Sequence, residues 1–176
     1  GSYKGTVDFN PNSWTTVNLI SAGNTYDIFV LKLDTSGVFN WAKTIGSSTG
    51  YDIGNGIATD PSGNVLVSGY YYGTADFDPN AGVVNYTSVG VADIFIMKLT
   101  ATGNLVWAKS IGGTNDDVGV DVISDNTGNV YHTGYFKLTA DFDPGAGIYN
   151  LATAGTQFDN DGYIQKLDPS GNHLWS

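Results

Sequence analysis

The sequence contains no cysteine, no arginine and no glutamate, with one methionine and two histidines. Lack of cysteine excludes disulfides and thiolate metal sites, although cysteine-free chains occur in either redox compartment. Lack of Arg and Glu removes two good helix formers. No stretch approaches the ~18 consecutive apolar residues of a membrane span, and no basic-then-apolar leader segment occurs. Membrane insertion is therefore not expected. The basic residues are seven lysines against seventeen aspartates, giving a net charge of −10. Nucleic-acid affinity rests on Lys and Arg displacing counterions, so no nucleic-acid partner is expected. Cations and neutral partners suit this charge better.

What is present points to strands and tight turns. The 176 residues include 24 Gly, 11 Tyr and 8 Phe, with many Thr, Val and Ile, and the 41% hydrophobic content suffices for a core.

Three markers recur roughly every 66 residues. Asp8, Asp76 and Asp141 lie in Gly5-Thr6-Val7-Asp8-Phe9-Asn10-Pro11-Asn12, Gly73-Thr74-Ala75-Asp76-Phe77-Asp78-Pro79-Asn80 and Leu138-Thr139-Ala140-Asp141-Phe142-Asp143-Pro144-Gly145. Asp27, Asp93 and Asp161 open apolar runs that end at Leu33, Leu99 and Leu167, and Trp41, Trp107 and Trp175 mark the last segment. Strand signals in the middle repeat fall at Ile53 to Thr59, Val65 toward Phe77, Asp93 to Leu99 and Leu105 to Ile111. Gly69 and Gly73 are read as bulges or bends in the second strand.

In the third strand Phe95, Met97 and Leu99 share one face and Ile94 and Ile96 the other, so both faces are apolar. Such a sheet packs between two others, as a propeller blade does. The expected fold is all-β: four-stranded antiparallel blades of a β-propeller, about two and a half of them. Residues 1–46 form a partial blade from the second strand onward, 47–112 a complete blade, and 113–176 a blade truncated in its fourth strand. The piece reads as an open fragment of a larger ring or as an edge-to-edge assembly, with self-association through open blade edges. A string of β-sandwich modules and a β-solenoid are the competing architectures.

Asp93-Ile94-Phe95-Ile96-Met97-Lys98-Leu99, Gly103-Asn104-Leu105-Val106-Trp107-Ala108-Lys109, Gly128-Asn129-Val130-Tyr131-His132-Thr133-Gly134-Tyr135 and the Asp-Phe-Asp-Pro loops together resemble the bacterial β-propeller repeat family abbreviated SBBP. The resemblance covers nearly the whole chain. It implies tandem blades in large secreted or cell-surface bacterial proteins without an assigned activity. Gly162 and Gln165 depart from the pattern by replacing apolar residues.

Strand directions place the long connections, Asp78 to Ala92 and Asp143 to Asn160, at the end that carries the links between blades. That end is expected to gather Asp76, Asp78, Asp116, Asp117, Asp141 and Asp143. Asp76-x-Asp78-x-Asn80 alternates oxygen side chains as the first half of a calcium loop does. Asp8, Asn10 and Asn12, with Asp141 and Asp143, are poorer copies. The competing reading is that these side chains bond their own backbone in Asx-turns. Asp116, Asp117, Trp14 and Tyr72 are candidates for a ligand face, Trp14 and Tyr72 as part of an aromatic sugar platform. His132 and His173 have no recurring carboxylate or nucleophile beside them, and no catalytic constellation is expected. The expected role is a non-enzymatic extracellular scaffold, adhesion or binding module at the bacterial surface, calcium being its candidate ion and a protein or carbohydrate its candidate ligand. The alternative is a carbohydrate-binding or carbohydrate-active propeller.

Overall fold

The computed structural model describes residues 1–156 and 159–176. Seventeen strands follow in order among them: β1 (Ser2–Lys4), β2 (Thr6–Asp8), β3 (Asn18–Ile20), β4 (Tyr26–Leu33), β5 (Phe39–Ile45), β6 (Ile53–Thr59), β7 (Val65–Tyr71), β8 (Thr74–Asp76), β9 (Asn85–Thr87), β10 (Asp93–Leu99), β11 (Leu105–Gly113), β12 (Val118–Ser124), β13 (Val130–Phe136), β14 (Thr139–Asp141), β15 (Asn150–Ala152), β16 (Asp161–Leu167) and β17 (His173–Trp175). One short 3-10 turn, Ala22–Asn24, interrupts this all-β pattern.

Three antiparallel sheets carry the fold. They are ordered β1-β4-β5, β6-β7-β10-β11-β14-β15 and β12-β13-β16-β17, so the main strands of each lie side by side as meanders and the β14–β15 hairpin extends the middle one. The first, third and fourth strands of the middle repeat match their expected spans within two residues. The second does not continue to Phe77. Gly73 takes a φ of +64°, a left-handed conformation that costs a glycine little, and the chain turns there into a separate hairpin. Gly69 is no bulge either: a methyl group on it would lie 1.9 Å from the Ile53 carbonyl oxygen, so it marks close backbone approach. The register shift falls opposite, between Gly54 and Gly56 of β6.

The middle sheet is buried on both faces. Phe95, Met97 and Leu99, with Val65, Val67 and Tyr71, pack against Ile28, Val30 and Ile45 of the first sheet. Ile94, Ile96 and Leu66 pack against Val122, Val130, Phe136 and Tyr163 of the third. The period-two alternation of β10 thus feeds two cores at once. Strands β6 and β12 run close together, and Asn55 Nδ2 donates to the Gly119 carbonyl at 2.8 Å.

What the sequence presents as long loops are mostly hairpins. β2 pairs with β3, β8 with β9 and β14 with β15. Each begins within the Asp-Phe-Asp-Pro motif region and folds back along a main sheet: Gly112 and Gly113 of β11 pair with Asp141 and Ala140 of β14, and Gly46 bridges to Asp76. Positions 157 and 158, in the connection from Asp143 to Asn160, lie outside the described residues.

Candidate functional site

The repeated motif is an anchor for these hairpins. Phe9, Phe77 and Phe142 are buried and meet Phe29, Phe95 and Tyr163 with ring centroids 4.8, 5.2 and 4.8 Å apart. The flanking acids hold the chain on either side of each ring. Asp76 Oδ1 accepts from Asp78 N at 3.0 Å and Val84 N at 2.8 Å, and Asp78 Oδ1 accepts from Asn80 N at 2.9 Å. Asp141 serves Asp143 N and Tyr149 N, and Asp143 serves Gly145 N. In the first copy Asp8 serves Asn10 N and Val17 N, Asn10 serves Asn12 N, and Asn12 serves Trp14 N. Backbone N–H donors from Val17 and Asn10 hold the Asp8 carboxyl below the usual carboxylate range. In all three copies one side-chain oxygen is spent on Asx-type bonds to the loop's own backbone. Among the described residues no three His, Cys, Asp or Glu side chains gather into a metal cage.

The hairpins divide the expected gathering of six aspartates only in part: Asp76 bridges to Gly46 and Asp141 pairs with Gly112, at the same end as Asp116 and Asp117. Asp116 and Asp117 stand at the link end, just before β12, with Asp117 buried and Lys137 Nζ 2.9 Å from Asp116 Oδ2. From Asp76 the β8–β9 hairpin runs back toward the turn between β10 and β11. Asn80 Oδ1 there accepts from Lys43 Nζ at 2.5 Å, and its Nδ2 is 3.5 Å from the Gly103 carbonyl. The sequence reading followed strand direction alone, which cannot register a hairpin that doubles back.

The expected aromatic platform also divides. Trp14, 89% exposed, belongs to a loop that shares a groove with Gly37 and Val38 between β4 and β5. Tyr72 lies at the link end in a row of tyrosines: Tyr26 to Tyr51 is 5.6 Å between centroids, Tyr51 to Tyr72 6.4 Å, and Tyr72 to Tyr70 6.0 Å. Tyr26 and Tyr51 are 43% and 55% exposed, whereas Tyr71 is fully buried. Burial raises the Tyr72 hydroxyl above its ordinary value, and the Asp116 charge acts the same way. Tyr26 opens β4 and Tyr70 lies in β7, while Tyr51 and Tyr72 come from connections, and Tyr26 and Tyr51 meet across a sheet junction. Sequence spacing therefore gave no sign of them as a group.

Trp41 and Trp107 have a sharper role than strand packing. Trp41 Nε1 and Lys32 Nζ both donate to the Ala101 carbonyl, at 3.1 and 2.8 Å, in the turn between β10 and β11 of the next sheet. Trp107 Nε1 and Lys98 Nζ do the same to the Pro169 carbonyl, at 3.1 and 3.3 Å. The tryptophan rings and the stems of Lys43 and Lys109 lie against Gly103 and Gly171, where a side chain would collide with them. Each sheet is thus clasped to the turn of its successor. Trp41 with Thr102-Gly103-Asn104, and Trp107 with Ser170-Gly171-Asn172, are two halves of one repeated contact.

His132 is structural. Tyr163 OH lies 3.1 Å from its Nδ1, its Nε2 lies 2.5 Å from Gln165 Oε1, and Gln165 Nε2 donates to the Phe142 carbonyl. This chain fits a neutral imidazole with the proton on Nε2, and burial lowers its pKa to about 4. The His132–Gln165 register pair stands where the middle sheet has Val67 and Met97. The apparent departure at Gln165 is half of a paired substitution.

The chain is 30% identical over 122 residues to an uncharacterized WD repeat-containing protein of Acanthamoeba polyphaga mimivirus. The alignment covers 61% of this chain and 9% of that protein, so the chain spans about a tenth of its relative's length. No family model matches. The likeness is to a β-propeller-like repeat protein and agrees with the repeated all-β sheets. The relative is viral, so it does not single out the bacterial repeat family. Among the described residues no helix is long and apolar enough to cross a membrane.

Proposed function

We propose that this chain is a run of consecutive β-propeller blades in a longer exported protein of the SBBP type, working as a non-enzymatic scaffold that carries a binding surface. The observation that supports it most is the duplicated junction: one tryptophan clasp and one two-faced core recur between the first and second sheets and between the second and third. The recurring polar side chains are spent on this assembly, as clasps, turns and hairpin anchors.

The tyrosine row Tyr26–Tyr51–Tyr72–Tyr70 favours a carbohydrate as the ligand. Tyrosine offers a flat apolar ring with a polar tip, which suits the faces and hydroxyls of a sugar, and the Asp116–Lys137 pair supplies hydrogen-bond groups at its side. The acidic net charge directs this reading to neutral glycans. Screening the protein against immobilised neutral glycans, with Tyr51→Ala alongside, tests it. Retention that Tyr51→Ala weakens at least tenfold is expected. Release of shortened sugars would replace the scaffold with an enzyme, and equal retention of both proteins would remove the tyrosine row from the site.

A further inference from the structure

Each junction brings two aspartates together by the same backbone device. Tyr26 and Tyr51 form an isolated parallel bridge, and Ala92 and Asp116 form another. The next residues are Asp27 with Asp52 and Asp93 with Asp117, all four 2% exposed or less. A glycine lies against each pair. A methyl group on Gly112 would stand 2.8 Å from Asp93 Oδ1 and 3.0 Å from Asp117 Oδ2, and one on Gly46 would stand 2.7 Å from Asp27 Oδ1. The Asp93 and Asp117 carboxyl groups therefore both lie against the bare Cα of Gly112.

Hydrogen bonding divides each pair into unlike members. Asp52 accepts from Ser47 N at 2.6 Å and Tyr72 N at 3.3 Å, one to each oxygen. Asp117 likewise accepts from Gly113 N at 2.6 Å and Lys137 N at 3.2 Å. Asp27 accepts through Oδ2 from Ala22 N, and Asp93 through Oδ2 from Val89 N, with the Gly90 N–H also acting on the Asp93 carboxyl. Their Oδ1 atoms are buried with no partner. A bare carboxylate oxygen in a dry site beside a second carboxylate is costly. Protonation removes the charge and makes that oxygen a donor.

We propose that each junction is a proton-binding site, with one proton carried by Asp27 or Asp93 and shared toward the ionised partner, Asp52 or Asp117. A divalent cation would need six or more oxygens, and no third acid or histidine joins either pair among the described residues.

The groups facing the pairs reinforce this. Tyr3 is electrostatically coupled to Asp27, Tyr71 to both Asp52 and Asp93, and Asp116 and Tyr163 to Asp117. Asp76 and Asp141 stand opposite Gly46 and Gly112 in the ladder, with Oδ1 turned to their own loops. Lys137 is the cation near the second pair, and its Nζ is held by Asp116. Burial is the leading cause that raises Asp27, Asp93 and Asp117 to about 6, and it raises Asp52 as well. Each pair titrates as a unit.

These folded values exceed the unfolded value of about 3.9. The pairs' contribution to stability is full below about pH 4 and is lost as pH rises through about 6. His132 acts in the opposite sense and is separated by mutation. Thermal unfolding from pH 5 to 7.5 should lower the wild-type Tm, relative to that of Asp27→Asn with Asp93→Asn, by on the order of 5 °C. Asp93→Asn, which mimics the protonated acid, should keep its Tm at pH 7.5 and lose about half of the slope, and Asp27→Asn with Asp93→Asn should lose nearly all of it. An unchanged slope in the double variant overturns the proposal. So does a rise in wild-type Tm with millimolar calcium at pH 7.5 that the double variant lacks, since that would put a metal in the site. Should the variants fold poorly, carbon-detected NMR of the wild type decides: two aspartates protonated at pH 5 are expected, and none contradicts the proposal.

Discussion

Lys98 Nζ lies 2.7 Å from Asp60 Oδ2, with both side chains almost wholly buried. The contact ties the third strand of the middle sheet to the β6–β7 turn, where Ser62 N and Asn64 N also donate to Asp60. Asp60→Ala should cost about 3–5 kcal/mol in denaturant unfolding, because Lys98 is left charged and dry. Lys98→Met combined with Asp60→Asn should cost much less. Burial by itself would raise the Asp60 pKa, but Lys98 and the Asn64 bonds bring it down to about 2. Stability from this pair is therefore complete above about pH 4 and falls as pH drops toward 2. A pH series on Asp60→Asn should lack that acid-side loss.

The His132–Gln165 pair predicts strong coupling. His132→Val strands the Gln165 side chain and the Tyr163 hydroxyl in the core, at a cost of about 2–4 kcal/mol. Adding Gln165→Met restores the Val67–Met97 arrangement of the neighbouring sheet and should recover at least 1 kcal/mol or so in a double-mutant cycle. His132→Val should also flatten the fall in stability between about pH 6.5 and 4, since a buried neutral histidine loses ground once the unfolded chain protonates.

The Asp-Phe-Asp-Pro loops should depend on the ring more than on the acids. Phe77→Ala removes a fully buried ring and should cost about 3–5 kcal/mol. Asp78→Ala frees one exposed backbone N–H and should cost about 1 kcal/mol or less. Calcium titration followed by Tm should show no shift that Asp76→Asn or Asp78→Ala abolishes.

Much of the architecture was readable because β10 alternates two apolar sets without a polar face, which only a doubly covered sheet satisfies. The recurrence of Trp41 and Trp107 was equally plain, but its reason was hidden. Their partners, the Ala101 and Pro169 carbonyls, are backbone atoms about 60 residues away that no side-chain pattern marks. Hairpins β8–β9 and β14–β15 were missed because three-residue strands carry too little periodicity to register. Asp27, Asp93, Asp117 and Tyr72 stood out singly in the sequence, but the tyrosine row and the aspartate pairs are grouped by junctions between sheets, which sequence spacing does not mark. Gln165 looked like a defect until its register partner was seen to be His132.

Consecutive sheets clasped by tryptophan are the centre of this account, and the indole protons report on them directly. Hydrogen exchange of the four tryptophan Nε1–H groups, followed by NMR on the whole chain, distinguishes bonded from free indoles. Trp41 and Trp107, bonded to the next sheet, should exchange at least tenfold more slowly than Trp14, which stands open to solvent. Exchange of all three at the same rate would contradict the stacking of the sheets.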